Sequence, residues 1–354
     1  MEMINLQSNY PVLAEQETAW PAMLREGVER FGADALRLPA FGGSVANREL
    51  AATWLGVAVE RTWICTSGHH GTMAALLAAG LAGKTIAVEA LTYPWFVRQA
   101  QMLGMRVVPV VMDEEGLVPE SLRMVCAGES VAAVYMMPTM HNPTGAIAGV
   151  ERRRAIVEVA KEFGLTMIED AAYGFLVEEE PSRYTELAPE RAFYVESLSK
   201  RVVPGLRTCF LVAPEKLAEQ TALALRVMTS GSSTLLASMG CAMTADGSLA
   251  RVLAAKRVEG ERRRLKAMEI LEGMDVVAGK NSWHLWVTLA AGDARTDEEI
   301  ERACEERGVL VTGARWFTAP GAEVPRAVRI GLGGETEWVR VEEGLRMFAG
   351  VVRG

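Results

Sequence analysis

Ser197-Leu198-Ser199-Lys200-Arg201, followed closely by Pro204-Gly205-Leu206-Arg207, places an amine, two hydroxyls and a further cation after the apolar run Ala192 to Val195. Such a run reads as a buried strand. A lysine at the end of that strand is costly unless it is neutral or paired. An amine bonded to an aldehyde meets the demand, and hydroxyls with a guanidinium suit a phosphate. The combination suggests a Schiff base between Lys200 and pyridoxal phosphate.

Four further segments bear on that chemistry. Thr66-Ser67-Gly68-His69-His70-Gly71-Thr72 lies between a strand and an alanine-rich helix, Met73 to Ala79. Glycine permits close backbone approach there, and a helix N-terminus offers free N–H groups to an anion. His141-Asn142-Pro143-Thr144-Gly145 is a turn sequence in any fold; its Asn142 amide can donate to a phenolate-like ring oxygen. Asp170-Ala171-Ala172-Tyr173 follows the strand Thr166–Ile168, where open α/β sheets bind ligands. Asp170 can pair with a protonated pyridine nitrogen, although a helix-capping aspartate looks the same in sequence. Tyr173 can donate to the ring oxygen, and strand alternation turns the competing carboxylate, Glu169, to the other side. Arg329, inside the apolar run Val328 to Leu332, needs an anion, either a substrate carboxylate or a structural partner. Tyr93 follows another strand and offers a flat ring for stacking.

The elements that must position these residues read as strands at Thr62–Cys65, Thr85–Val88, Arg106–Met112, Ala132–Met137, Thr166–Ile168, Phe193–Glu196 and Cys209–Val212. Several are continuous apolar runs, as for strands covered on both faces. Ile156, Val159, Ala160 and Phe163 have helical spacing, with Gly164 as a stop. This alternation predicts an α/β domain with a mostly parallel central sheet sandwiched by helices. After about residue 230 the pattern changes. A charged helix spans about 248–271 and an exposed-face strand Trp283–Leu289. A helix follows over 297–307, then short strands at Val309–Val311 and Val328–Leu332. The reading is an N-terminal segment 1–40 packing with the small domain, a large domain 41–232 and a smaller α+β domain 233–354.

The 354 residues exceed one ordinary core. A net charge of −8 argues against a nucleic-acid partner. The basic cluster Glu261-Arg262-Arg263-Arg264-Leu265-Lys266 reads as a solvated helix face. No apolar stretch reaches a membrane span, and Met1 to Gln7 has no leader-like pattern. Five scattered cysteines fit reduced thiols in a cytoplasm, and four histidines give no metal-ligand spacing.

Taken in order, the Ser-Gly turn, Asn-Pro-Thr-Gly, Asp-x-x-Tyr, Ser-x-Ser-Lys, Gly-x-Arg and the late arginine resemble the class I/II aminotransferases, the fold type I enzymes that use pyridoxal phosphate. The likeness runs from about Phe41 to Gly333 and looks closest to the aminotransferase-like domain of MocR-type regulators and their free-standing relatives. It implies an aminotransferase that moves an amino group from an α-amino acid to a 2-oxo acid by a ping-pong scheme. Lys200 would bond the cofactor and carry protons, and Asp170 would pair with the ring nitrogen. Tyr173 and Asn142 would meet the ring oxygen, and Tyr93 the ring face. Ser197, Arg207 and the Gly68-His69 backbone would hold the phosphate, while Arg329 would bind the substrate carboxylate and Asn142 would also bind the substrate. A cytoplasmic homodimer is implied. Two alternatives share the motifs: a β-lyase on the same scaffold and a non-catalytic effector module. The stretch before Phe41 is neither long nor basic enough for the winged helix those regulators carry. Phe41 stands where relatives often have a tyrosine that reaches the neighbour's phosphate, and His69-His70 replaces small or amide side chains. Tyr10, Phe41, Trp95 and Trp316 are the candidate substrate-pocket residues.

Overall fold

Seven of the apolar runs pair into one sheet in a computed structural model that describes residues 3–354. The expectation about a leader at Met1 to Gln7 lies partly outside these residues. In chain order the strands are β1 (Thr62–Cys65), β2 (Thr85–Glu89), β3 (Arg106–Val110), β4 (Val131–Met136), β5 (Thr166–Asp170), β6 (Ala192–Ser197) and β7 (Cys209–Val212). Their spatial order is β1-β7-β6-β5-β4-β2-β3. β7 is antiparallel to both its neighbours, and all other pairs are parallel.

The continuous apolar runs have the expected cause. Met167 of β5 packs with Ile156, Val159 and Ala160 of the helix Val150–Glu162, whereas Ile168 packs with Ala74 and Ala75 of the helix Gly68–Ala78. Each face of the sheet is therefore covered by helices, which leaves no solvated side for alternation. β5 extends past Ile168 through Glu169 and Asp170, so both carboxylates stand on the strand itself.

A second sheet follows β8 (Asp275–Val277), β9 (His284–Thr288), β10 (Thr312–Gly313) and β11 (Ala327–Gly331), in the order β8-β9-β11-β10, all antiparallel. The exposed-face reading of Trp283–Leu289 is corrected here, because His284, Leu285, Trp286 and Val287 are all buried. Helices cover Leu285 and Val287, while Phe317 meets the Trp286 ring edge-on on the other side.

One other expectation also changes. Arg263, in the supposed solvated face, is buried: its guanidinium donates to the carbonyls of Leu332, Glu335 and Thr336, and it pairs with Glu259. Ala237, Met239, Cys241, Leu249 and Leu253 pack in the same cluster as Ile64 and Phe210, and the second core begins at Ala267 on the long helix Ser248–Ile270. The N-terminal segment is divided in the same way. Ile4–Asn5 pairs with Val309–Leu310 of the smaller core, whereas Trp20, Met23 and Leu24 of the helix Ala14–Phe31 pack on the large one.

Candidate active site

The carboxyl ends of β1, β2, β4, β5 and β6 lie at one edge of the large sheet, and the antiparallel β7 is entered from that same edge. This geometry brings Ser67, Tyr93, Asn142, Asp170, Ser197, Lys200 and Arg207 to one cleft of about 620 Å³. The helix Gly68–Ala78 can lie close to β6 because Gly71 has no side chain: a Cβ there would come within 3.1 Å of Val195.

Lys200 leaves the short helix Leu198–Arg201. Its Nζ donates to Tyr173 Oη at 2.7 Å and to the carbonyl of Asn9 at 3.1 Å, and it lies 4.3 Å from the centre of the Tyr10 ring. Burial pushes the amine down to about 8; Tyr10 and Asp170 oppose the shift and Arg329 adds to it. Tyr173 Oη in turn donates to the Asn9 carbonyl at 2.9 Å. Asn9 is held by His284. The Nε2 of His284 meets only a carbonyl, that of His141 at 3.0 Å, so it carries the proton and Nδ1 accepts from Asn9 Nδ2 at 3.2 Å. Burial drives the His284 pKa down to about 3, so the ring stays neutral.

Asp170 is buried on the floor of the cleft, accepting from Tyr135 Oη at 2.8 Å and from the Ala172 amide at 3.0 Å. Burial raises its pKa, while the two donors and Lys200 lower it. Glu169, as alternation predicts, points away and pairs with the buried Arg153 at 3.0 Å.

Also on the cleft, the first-turn N–H groups of Gly68 and His69 have no hydrogen bond among the described residues, while Ser67 Oγ caps the His70 amide at 3.2 Å. Ser197 Oγ accepts from the Ser199 amide at 3.3 Å, and the buried Ser199 Oγ has no partner. Arg207 borders the same cleft with no carboxylate beside it among the described residues, and its backbone is left-handed at φ 46. His69 Nε2 lies 2.9 Å from Tyr93 Oη, whereas His70 is structural, its Nδ1 accepting from the Thr66 amide at 3.2 Å.

Arg329 stands on β11, buried, with Trp286 and Thr312 as its strand neighbours. Its guanidinium donates to the Gln7 carbonyl and reaches Asn142 Oδ1 at 3.3 Å, and its Nε has no partner. No carboxylate of the described residues pairs with it. Its partners are therefore neutral oxygens, those of Gln7, Asn142 and Thr312, and its buried Nε is left unbonded.

A family model described as aminotransferase class I and II matches residues 1–341. The chain belongs to the class I and II aminotransferase family. Among the relatives of this family member is the 2-aminoadipate transaminase of Thermus thermophilus, 28% identical over 88% of the chain and 81% of that protein. Another is an uncharacterized HTH-type transcriptional regulator of Bacillus subtilis, 26% identical over 82% of the chain. The chain spans only 62% of that regulator's length, and 53% of a second regulator from the same organism. In fold it is similar to the α-aminoadipate aminotransferase of Thermus thermophilus complexed with N-(5'-phosphopyridoxyl)-L-leucine. The TM-score is 0.87 at 23% identity, covering 99% of this chain and 92% of that one.

The site fits pyridoxal phosphate. Free N–H groups, an unpartnered hydroxyl, a guanidinium with no carboxylate beside it among the described residues, a buried carboxylate and an amine of lowered pKa border one cleft. Phe41 does not border the cleft; it lies under the Arg226 guanidinium, 4.8 Å from its ring centre. Several residues that shape the site were not singled out from the sequence. Tyr135 read as strand core, although a phenol inside a strand needs a partner. Asn9 and His284 show no local signal, because they meet only in the folded chain.

Proposed function

We propose that this family member transfers an amino group from an α-amino acid to a 2-oxo acid with pyridoxal phosphate, in two half-reactions at one site. The observation that carries the reading is the Lys200 amine, buried and depressed to about 8, in one cleft with anion donors and with Asp170. The cofactor supplies, when bound, an aldehyde for imine exchange and a ring that accepts electrons. Gly68, His69, Ser197, Ser199 and Arg207 would hold its phosphate, Asp170 its ring nitrogen and Tyr93 its ring face.

The protein's own groups do the rest. Lys200 Nζ, largely neutral just above its pKa, takes the proton that leaves the substrate α-carbon. Tyr173 Oη and the Asn9 carbonyl aim the amine, and His284 anchors Asn9. Arg329 grips the α-carboxylate with its free donors and so sets the α-carbon facing Lys200. Asn142, whose Oδ1 faces Arg329, keeps its amide hydrogens for the ring oxygen.

The buried state of all five cysteines suits a reducing cytoplasm, and we propose a homodimer of this kind there, without nucleic acid or membrane as partner. Among the described residues no helix is long and apolar enough to cross a membrane. The proposed domain division has the long helix Ser248–Ile270 joining the two cores. A second reading, an effector module that binds the cofactor without turnover, draws support from the likeness to the Bacillus subtilis regulators.

Purified holo-protein incubated with a panel of amino acids separates these readings. Conversion of its absorbance to the pyridoxamine form, followed by recovery with a 2-oxo acid, is expected. A spectrum that no amino acid changes would sink the transaminase reading. Pyruvate and ammonia released without an amino acceptor would indicate the lyase.

A further inference from the structure

We propose that the cavity outside Lys200 and Arg329 is a binding site for an aromatic α-amino acid, whose side chain is enclosed by Tyr10, Trp95 and Trp316. This deepens the transaminase reading and rests on it, because Arg329 serves as the carboxylate anchor.

The cavity continues the cofactor cleft: Tyr10, Tyr93, Asn142, Tyr173 and Lys200 border both. Its wall is rich in aromatic rings. Trp95 and Trp316 are exposed, at 59% and 53%, and both border this one cavity. Exposed apolar surface gathered in one concave place marks a site for an apolar ligand. The rings are also held in place. The Arg315 guanidinium lies 5.6 Å from the centre of the Trp316 ring and is itself paired with Asp297 and Glu301. Tyr10 has Lys200 Nζ over its face.

Charge narrows the choice of side chain. The cavity is bordered by Lys200 and by Arg98, Arg315 and Arg329, and by no Asp or Glu. A cationic substrate side chain is repelled there. For a second carboxylate the wall offers chiefly Arg98, an exposed guanidinium bonded to the neutral Gln101 Oε1 at 3.1 Å, since Arg315 is already paired with Asp297 and Glu301. A flat, uncharged ring that stacks on tryptophan uses what the wall offers.

Calorimetric titration of the holo-protein tests this with 3-phenylpropanoate and glutarate, carboxylates that lack the reacting amine. The phenyl acid is expected to bind at least tenfold more tightly, and Trp95→Ala and Trp316→Ala each to weaken it by about tenfold. Both tryptophans are exposed, so the variants should fold. Glutarate binding as tightly, or phenylpropanoate affinity unmoved by either substitution, would overturn the proposal. The amino-acid panel keeps the two readings apart. If alanine, glutamate or lysine converts the cofactor spectrum and phenylalanine does not, the aromatic site is refuted while transamination stands. If none does while phenylpropanoate still binds as expected, the aromatic site stands and transamination falls.

Discussion

Lys256 Nζ donates to the main-chain carbonyl of Lys200 at 2.9 Å and to that of Val202 at 2.6 Å. Lys256 comes from the long helix Ser248–Ile270, is fully buried, and has no carboxylate partner. It thereby ties off the last carbonyls of the short helix that carries Lys200, which that helix cannot satisfy itself. Gln16 adds a third bond, from Nε2 to the Val202 carbonyl at 3.1 Å. The reactive amine is thus fixed at its tip by Tyr173 and Asn9 and at its base by Lys256.

Replacing Lys256 with methionine keeps the volume, leaves the buried Lys200 carbonyl unpaired and leaves the Val202 carbonyl to Gln16 alone, a loss of about 1–3 kcal/mol. The loss should depend on pH. Burial pushes the amine down to about 7 from an ordinary value of 10.5. Between those values the unfolded chain holds a proton that the folded chain has released, so stability rises with pH across that window. Urea denaturation at pH 7 and pH 9.5 should therefore show wild type gaining on Lys256→Met at the higher pH. A difference that stays flat would mean that the folded amine is not depressed.

The Lys200 amine, lowered to about 8, should acquire its reactive free-base form as pH rises through that value. The rate at which cofactor-free protein forms a borohydride-reducible adduct with pyridoxal phosphate is expected to climb with a midpoint near 8. Lys200→Ala should form no such adduct at any pH. An adduct that survives would assign the bond to another lysine.

Arg207 is held at φ 46, a conformation that costs a residue with a side chain about 1 kcal/mol and glycine almost nothing. Arg207→Gly should therefore melt at an unchanged or higher temperature while binding pyridoxal phosphate about tenfold or more weakly, because the phosphate loses a charged fork. Thermal melting without cofactor and equilibrium dialysis with it measure the two effects separately. Unaltered cofactor affinity would remove Arg207 from the phosphate site.

Arg329 offers a planar fork with a free Nε, and lysine offers a point charge. Arg329→Lys should raise KM for the amino acid by about tenfold to a hundredfold and leave cofactor affinity near wild type. Steady-state kinetics beside a cofactor titration distinguish this from general damage to the cleft, in which both would move.

Much of the site was legible because the signals are local. Each strand of a parallel sheet ends in a turn, and Asp170, Ser197 and Tyr93 stand at such ends, where the topology brings them to one edge whatever lies between them. The antiparallel entry of β7 was not visible in its apolar run, yet it delivers Arg207 to the cleft. Phe41, read from its neighbours in sequence as standing where relatives have a tyrosine, lies under Arg226 of its own chain, a contact the sequence did not signal. Arg263 shares a basic cluster with Arg262 and Lys266 but is buried against Trp283, because one helix turn points it inward.

By itself the chain's order of residues determined the strand–helix alternation, the reactive lysine and the cation, carboxylate and hydroxyls around it, since propensity and strand-end position act over a few neighbouring residues. The fold alone decided which distant groups meet: His284 with Asn9, Tyr135 with Asp170, Lys256 with the Lys200 carbonyl, and the N-terminal segment with β11. That last contact is close enough that a Cβ on Gly331 would come 2.4 Å from the Ser8 carbonyl. A hydrogen bond or a buried charge takes its meaning from its partner, and those partners come together only when the two cores pack.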